Sequence, residues 1–338
     1  MQVIFAIDPD DALAKGIELL KANGTTEDSR VGPVLVATTP VATVYPQPRR
    51  RVSFSAIRDA NPFFHLAEAL WMLDGRNDLA FLEYFVPRFR EFSDDGRTLN
   101  GAYGYRWRQH FGGDQLEEIT KELIKNPGTR RAVLSMWDGG EDFESAVRGS
   151  KDVPCNTHAY FRRRGDALDM TVLCRSNDIV WGAYGANVVH FSFLLEFMAT
   201  TIGARVGTYT QVSNNYHAYI ERPDTKKLFA ADYDELAPHA SLAAGAPLIA
   251  PGAAGGGEFL DRLSDFLQHP SPHQRHPFFL REVAAPMLEA HSRHKAGDTS
   301  AAIGHLQLRA NLDPWLVAGL AWLRRRLAKQ TSVQEVRP

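Results

Sequence analysis

Residues 188–202 read VVHFSFLLEFMATTI and stop at Gly203. The run is apolar on most sides of a helix drawn through it. It is too short to cross a bilayer, which takes about 20 residues. A helix without a polar face has to be wrapped by other structure. The run therefore predicts a buried helix from Asn187 to Ile202, and the rest of the chain has to supply its cover.

That cover reads as a mixture of helices and strands. Asp11 to Asn23 and Pro62 to Leu73 have helical spacing, as does Asp78 to Phe89. DQLEEITKELIKN is an amphipathic helix ended by Pro127 and Gly128. Val34 to Phe54, RRAVLSMW, THAYFRR and ALDMTVLCR read as strands, and VGTYTQVSNNYHAYI as a strand running into a loop. The pattern predicts an α+β core over 1–225, with a mixed β-sheet flanked by helices. A flexible Gly/Ala/Pro-rich connection is expected over 226–257. A helical C-terminal region, 258–338, is expected to pack on the core.

With 338 residues, 44% of them hydrophobic, the chain can bury a sizeable core, and a net charge of −2 gives no reason to expect a nucleic-acid polymer as partner. Arginines do cluster, at 49–51, 130–131, 162–164 and 324–326, as forks for a small anion or as solvated charge. The start, MQVIFAIDPDD, lacks the basic and apolar regions of a signal peptide. Two cysteines without metal-type spacing argue against a disulfide framework or a zinc site, and a reducing cytoplasm is expected.

One of those cysteines follows a proline in KDVPCNTHAYF. Cys155 is a candidate nucleophile if a nearby arginine, Arg175 or the pair Arg130 and Arg131, lowers its pKa. The alternative is a packed thiol. CRSNDIVWGAYGAN then delivers Arg175 and Ser176 as a phosphate clamp, with Asp178 and Asn187 behind them. Asn187 reads either as a reader of a base edge or as a plain helix N-cap. His217 and Tyr219 share one strand face and suit a sugar hydroxyl. Glu68 is a carboxylate on an otherwise apolar helix, which is costly unless it moves protons or is paired. Tyr103 and Trp107 sit in a Gly/aromatic loop, GAYGYRWR, that can line a pocket.

Taken in order, these motifs resemble the thymidylate synthase family, from Arg30 to Tyr219. The resemblance implies that Cys155 adds to C6 of a pyrimidine nucleotide. It implies that Arg30, Arg175 and Ser176 hold the 5′-phosphate, with Arg130 and Arg131 reaching the phosphate of a partner subunit in a homodimer. Asn187 would read the base, and His217 and Tyr219 the ribose. Asp178, with Phe89 and Trp107, would contact 5,10-methylenetetrahydrofolate, the one-carbon donor. Glu68 and Tyr103 would manage protons through ordered water.

The chain departs from the family pattern in four places. Asn156 stands after the cysteine where histidine is usual. The loop before Asn187, AYGA, is one residue longer than the usual segment. RFREFSDDG carries Phe89 and Phe92 where two tryptophans are usual, and TSVQEVRP does not match the family's C-terminal lid. Weaker exclusion of water favours a hydroxymethyl over a methyl product. The resemblance is therefore to the nucleotide 5-hydroxymethylase branch, with CMP or dCMP as the expected substrate. A thymidylate synthase acting on dUMP, a dUMP hydroxymethylase, a non-catalytic nucleotide binder and a cysteine hydrolase are the alternatives. Asn187 can serve uracil or cytosine according to how its amide faces, and its neighbours, Asn156 among them, set that.

Overall fold

The computed structural model describes residues 1–29, 31–237, 244–250, 255–309 and 313–335. Eight strands form one mixed sheet: β1 (Gln2–Phe5), β2 (Gly24–Ser29), β3 (Gly32–Ala37), β4 (Val41–Tyr45), β5 (Val133–Ser135), β6 (Asn156–Arg164), β7 (Ala167–Asp178) and β8 (Arg205–Tyr219). The spatial order is β1-β4-β8-β7-β6-β5, with the β2/β3 hairpin joined to the far end of β8. Strands β1/β4 and β7/β8 are parallel, and the other pairs are antiparallel.

The helices are α1 (Pro9–Asn23), α2 (Pro62–Leu73), α3 (Leu79–Phe85), α4 (Tyr103–Tyr105), α5 (Gln115–Lys125), α6 (Glu141–Val147), α7 (Val188–Thr201), α8 (Pro223–Ala230), α9 (Tyr233–Leu236), α10 (Gly256–Gln268), α11 (Ala285–Lys295), α12 (Thr299–Gln307) and α13 (Pro314–Glu335). Their starts follow local chemistry. The Asp8 carboxylate accepts from the amides of Asp10 and Asp11 ahead of α1, and Asn61 accepts from Phe63 and Phe64 ahead of α2, each with proline at the first helical position.

The apolar run is the buried helix α7. It packs on β7 and β8 on one side and against α2, α5 and α10 elsewhere. Its one acidic residue, Glu196, is 2% exposed and pairs with Arg51, with Arg49 Nε at 3.2 Å and the Leu248 amide at 2.9 Å. Arg51 also lies over the Phe193 ring. Arg49 and Arg51 of the 49–51 cluster thus neutralise a core carboxylate. Of the other clusters, Arg325 and Arg326 bind Asp59 from α13, and Arg164 binds Asp169.

Three expectations are corrected. RRRVSF is not a strand, because the buried Asp10 carboxylate takes the amides of Phe54 (2.6 Å) and Ser55 (3.0 Å) that a ladder would use. β8 does not give way to a loop: it stays a strand to Tyr219, held by β3 on one side and β7 on the other. Residues 179–187 are not a loop but a π-helical entry into α7, with the Asp178 carboxylate accepting from Trp181 N at its start. Residues 238–243 and 251–254 of the Gly/Ala/Pro-rich connection lie outside the described residues, and its described part includes α8 residues and α9. Further on, α13 packs on α2, α11 and α12.

Candidate active site

A cavity of about 330 Å³ opens between α2, the α4 turn, the Pro-Cys turn before β6, the end of β7 and the entry to α7. Cys155, Glu68, Tyr103, Ser176, Asp178, Asn187, His217, Tyr219 and Phe89 all line it. These residues span much of the chain, so it is the fold that gathers them. A second hollow of about 490 Å³ adjoins it through Ser176, His217 and Tyr219, and is bordered by Ser29 and Asn215.

The thiol is held by its neighbours' backbone. Arg175 N donates to Cys155 O at 2.8 Å. The Arg175 guanidinium clamps the preceding turn, with Nε 2.9 Å from Pro154 O and Nη2 3.1 Å from Val153 O. From the other side the Tyr103 hydroxyl oxygen accepts from Cys155 N (3.2 Å) and Asn156 N (3.1 Å). An oxygen that accepts twice leaves its own proton for a third partner. Tyr103 can sit there because Gly104 has no side chain: a Cβ would lie 1.9 Å from Met72 O.

Burial pushes the Cys155 thiol above its ordinary 9.0; the Arg175 charge pulls it down and the Asp152 carboxylate pushes it up. The arginine is thus present as expected, but desolvation outweighs it and the resting state is the thiol. Burial likewise pushes the Tyr103 phenol far up, with Cys155 and Cys174 adding to the rise.

Polar atoms are left to face the cavity. His190 Nε2 lies 2.9 Å from Glu68 Oε2 but off the line of a hydrogen bond, so neither is satisfied by the protein. Both residues are nearly fully buried. Asp178 Oδ1 is also buried without a partner. Burial raises the Asp178 carboxyl, opposed by the Trp181 amide and His217; burial lowers His217, opposed by Asp178. Asn187 has helical backbone angles and makes no cap bond, so the N-cap reading is overturned. Its amide joins a buried row, with Oδ1 accepting from Asn156 Nδ2 and Nδ2 donating to Asn177 Oδ1, each at 3.1 Å.

Some expected residues do not meet the cavity. Trp107 is fully buried with its ring on Phe191, 5.9 Å between centroids, and does not line it. The same tight approach of the Gly104 turn to α2 draws the tryptophan into the core. Arg130 and Arg131 are exposed, and neither guanidinium is paired among the described residues. Arg175, and neither of these two, is the positive charge that acts on the Cys155 thiol. Arg30 lies outside the described residues. Lining residues that the sequence reading missed include Trp71, Asp152, Asn177 and His190. His190 carried a signal, as an imidazole inside the apolar run; the others depend on tertiary contacts.

A half-buried thiol, a buried amide row, an unsatisfied carboxylate and a His/Tyr pair thus meet at one cavity, the arrangement of an enzyme site able to combine a nucleophile with polar recognition. The chain belongs to the thymidylate synthase family: the model of that family, described as thymidylate synthase, matches residues 18–243. It is 45% identical over 349 aligned positions to a deoxyuridylate hydroxymethyltransferase of Pseudomonas phage M6, covering 97% of this chain and 95% of that one. A deoxyuridylate hydroxymethyltransferase of Bacillus phage SP01 is 38% identical over 192 positions, 54% of this chain and 50% of that one. Among solved structures, thymidylate synthase from T4 phage shares the fold, with a TM-score of 0.52 and 22% identity over 63% of this chain and 78% of that one.

The protein is a one-carbon transferase of this family, and the family's donor is 5,10-methylenetetrahydrofolate. The cavity suits such a group: the unpartnered Asp178 oxygen can accept from a pterin N–H, and Phe89, Phe92 and Trp71 offer flat apolar walls. Among the described residues no helix is long and apolar enough to cross a membrane, and both cysteines are free.

Proposed function

We propose that this protein hydroxymethylates C5 of deoxyuridine 5′-monophosphate. The observation that carries this reading is its 45% identity, over nearly its whole length, to a deoxyuridylate hydroxymethyltransferase. The cytosine substrate expected from the altered loop gives way, because the similar enzymes carry deoxyuridylate in their names.

In this reading the Cys155 sulfur bonds to C6 and the ring electrons move toward O4, making C5 a nucleophile. When bound, methylenetetrahydrofolate supplies a carbon at the formaldehyde level. Once C5 carries that carbon, its proton is lost and tetrahydrofolate would leave, giving an exocyclic methylene on C5; water adds to it, and its proton goes with the departing Cys155 sulfur as the ring double bond is restored. Tyr103, whose oxygen is already fixed by two amides, keeps its proton available in the cavity. Glu68 with His190 holds water near the reacting edge. Asn187 reads the base edge, His217 and Tyr219 take the ribose, and Ser176 meets the phosphate; the Arg175 guanidinium is engaged with Val153 O and Pro154 O and supports that end of the site from behind.

A homodimer fits the free sheet face. One face of the sheet packs on α7, while Val133, Tyr160, Leu173 and Val212 on the other strand positions are half-buried or exposed. Two copies packed on that face would let the unpaired Arg130 and Arg131 reach a partner's phosphate. The two free cysteines suit a reducing cytoplasm.

The test is product mass after incubation with methylenetetrahydrofolate and dUMP, dCMP, UMP or CMP. Gain of one CH2O unit on dUMP without dihydrofolate is expected. Gain of one CH2 unit with dihydrofolate formed in step would make the enzyme a thymidylate synthase. Reaction of a cytosine nucleotide alone would overturn the base assignment.

A further inference from the structure

Asn187 is one link in a longer chain of buried side chains. Tyr209 OH donates to Gln211 Oε1 (2.6 Å), and Gln211 Nε2 donates to Asn156 Oδ1 (3.0 Å). Asn156 donates to Asn187, and Asn187 to Asn177, as described above. Asn177 Nδ2 then donates to Ser213 Oγ at 2.9 Å. Every member is at most 5% exposed. The spacing agrees with this direction: the shortest contact has the length of an O–H···O bond, the others that of N–H···O bonds.

An amide in such a chain cannot turn alone. Turning one sets oxygen against oxygen on one side and N–H against N–H on the other, and burial leaves that mismatch uncompensated. The four amides therefore turn together or not at all. Both ends are hydroxyls, which can donate or accept, so the opposite direction is also fully bonded. The chain has two self-consistent polarities. They differ in whether Asn187 offers its free lone pair or its free N–H at a given point on the cavity wall. Those two offers suit the two pyrimidines, since uracil and cytosine exchange donor and acceptor along that edge.

We propose that base selectivity is set collectively by this relay, with Gln211, Asn156 and Asn177 as positioning residues that fix which way Asn187 faces. The inference rests on the reading that Asn187 meets the base edge. Gly182 belongs to the device, because a Cβ there would lie 2.7 Å from Asn177 Oδ1.

The relay makes an asymmetric prediction for one kind of substitution. A carboxylate only accepts. At 211 it still accepts from Tyr209 but forces Asn156 to donate to it, which turns Asn187 and Asn177 in succession. At 156 it accepts from Gln211 and forces Asn187 to turn. At 177 it accepts from Asn187, as in the present polarity, and only the Ser213 hydroxyl turns, to donate where it now accepts, so no amide turns. So Gln211→Glu and Asn156→Asp should move the dCMP to dUMP ratio of kcat/KM toward dCMP by about ten- to hundred-fold, the usual worth of one bidentate contact to a base. Asn177→Asp should leave the ratio as it is.

The measurement is kcat/KM for both nucleotides with methylenetetrahydrofolate, at mildly alkaline pH so that the new carboxylates are ionised. Two inverting variants are included because either buried charge can impair folding. A shift of the same sign in all three would mean that added negative charge, and not polarity, sets the ratio, and would overturn the proposal. An unchanged ratio in the folded Gln211→Glu or Asn156→Asp enzyme would overturn it too. Asn187→Ala separates the levels: if that variant keeps the wild-type ratio, the reading of Asn187 as the base contact fails. If it loses selectivity while the upstream carboxylates have no effect, only the relay fails.

Discussion

Tyr103→Phe tests how the nucleophile is held. The phenol oxygen is the acceptor for two backbone amides, Cys155 N at 3.2 Å and Asn156 N at 3.1 Å. Phenylalanine keeps the ring packing on Phe191 and removes only that acceptor. A buried donor left without a partner costs about 1–3 kcal/mol. Asn156 is fully buried and should cost the most; Cys155 borders the cavity, where water can take over its amide. Together they give about 2–4 kcal/mol. An unfolding entropy of about 2.1 cal/mol/K per residue over 338 residues makes each kcal/mol worth about 1.4 °C. Calorimetry should therefore show Tm lowered by about 3–6 °C. Covalent trapping by 5-fluoro-dUMP with methylenetetrahydrofolate should slow at least about tenfold, because the strand carrying Cys155 loses its anchor. A Tm within about 1 °C of wild type together with unchanged trapping would refute the assignment of Tyr103 as the anchor.

Glu196→Gln leaves Arg51 and Arg49 without their shared buried carboxylate. It should destabilise by about 3–5 kcal/mol in urea unfolding while kcat of the folded enzyme is retained. For Cys155, burial holds the thiol above 9.0, so alkylation by iodoacetamide in the absence of nucleotide should keep accelerating as pH rises to that value. Asp152→Asn removes a charge that opposes the thiolate and should move the alkylation midpoint down. Arg175→Gln removes one that favours it and should move the midpoint up; shifts of equal sign would show that neither charge is felt by the sulfur.

The parts of the site carried by local pattern were legible. The apolar run had to be a buried helix, and the helical spacing from Pro62 to Leu73 placed Glu68 on α2. The Pro-Cys turn stood at the head of an alternating strand. What was not legible depends on register. Gln211 joins Asn156 and Asn187 only because β8 lies parallel to β7 with Val172 opposite Gln211 and Cys174 opposite Ser213. Nothing in YTQVSNN announces that pairing. Trp107 was misread because an aromatic beside glycines fits a pocket wall and a packed turn equally well, and the approach of Gly104 to Met72 decides between them. Likewise RRRVSF has strand composition, yet a carboxylate more than forty residues earlier in the chain claims its amides.

In the proposed reaction the identity of the product turns on water, and the rim of the cavity is its expected point of entry. Phe89 packs against Phe64 and Phe92, but Phe92 is 52% exposed, so the aromatic wall thins toward solvent. Two fates compete for the same exocyclic methylene, hydration and hydride transfer, and their ratio depends on a difference between two barriers. A change of about 1 kcal/mol in that difference changes the product ratio about fivefold. Phe89→Trp with Phe92→Trp widens the aromatic cover and adds only an indole N–H at each position, so it acts chiefly on water entry and leaves the thiol, Asn187 and Glu68 in place. Product analysis by mass should show 5-methyl-dUMP and dihydrofolate rising together, at the expense of the hydroxymethyl product, by about that factor. If total turnover falls while the ratio stays fixed, the rim does not govern the partition. The hydration step would then have to be assigned to water already held inside the cavity, where Glu68 and His190 leave three polar atoms without partners.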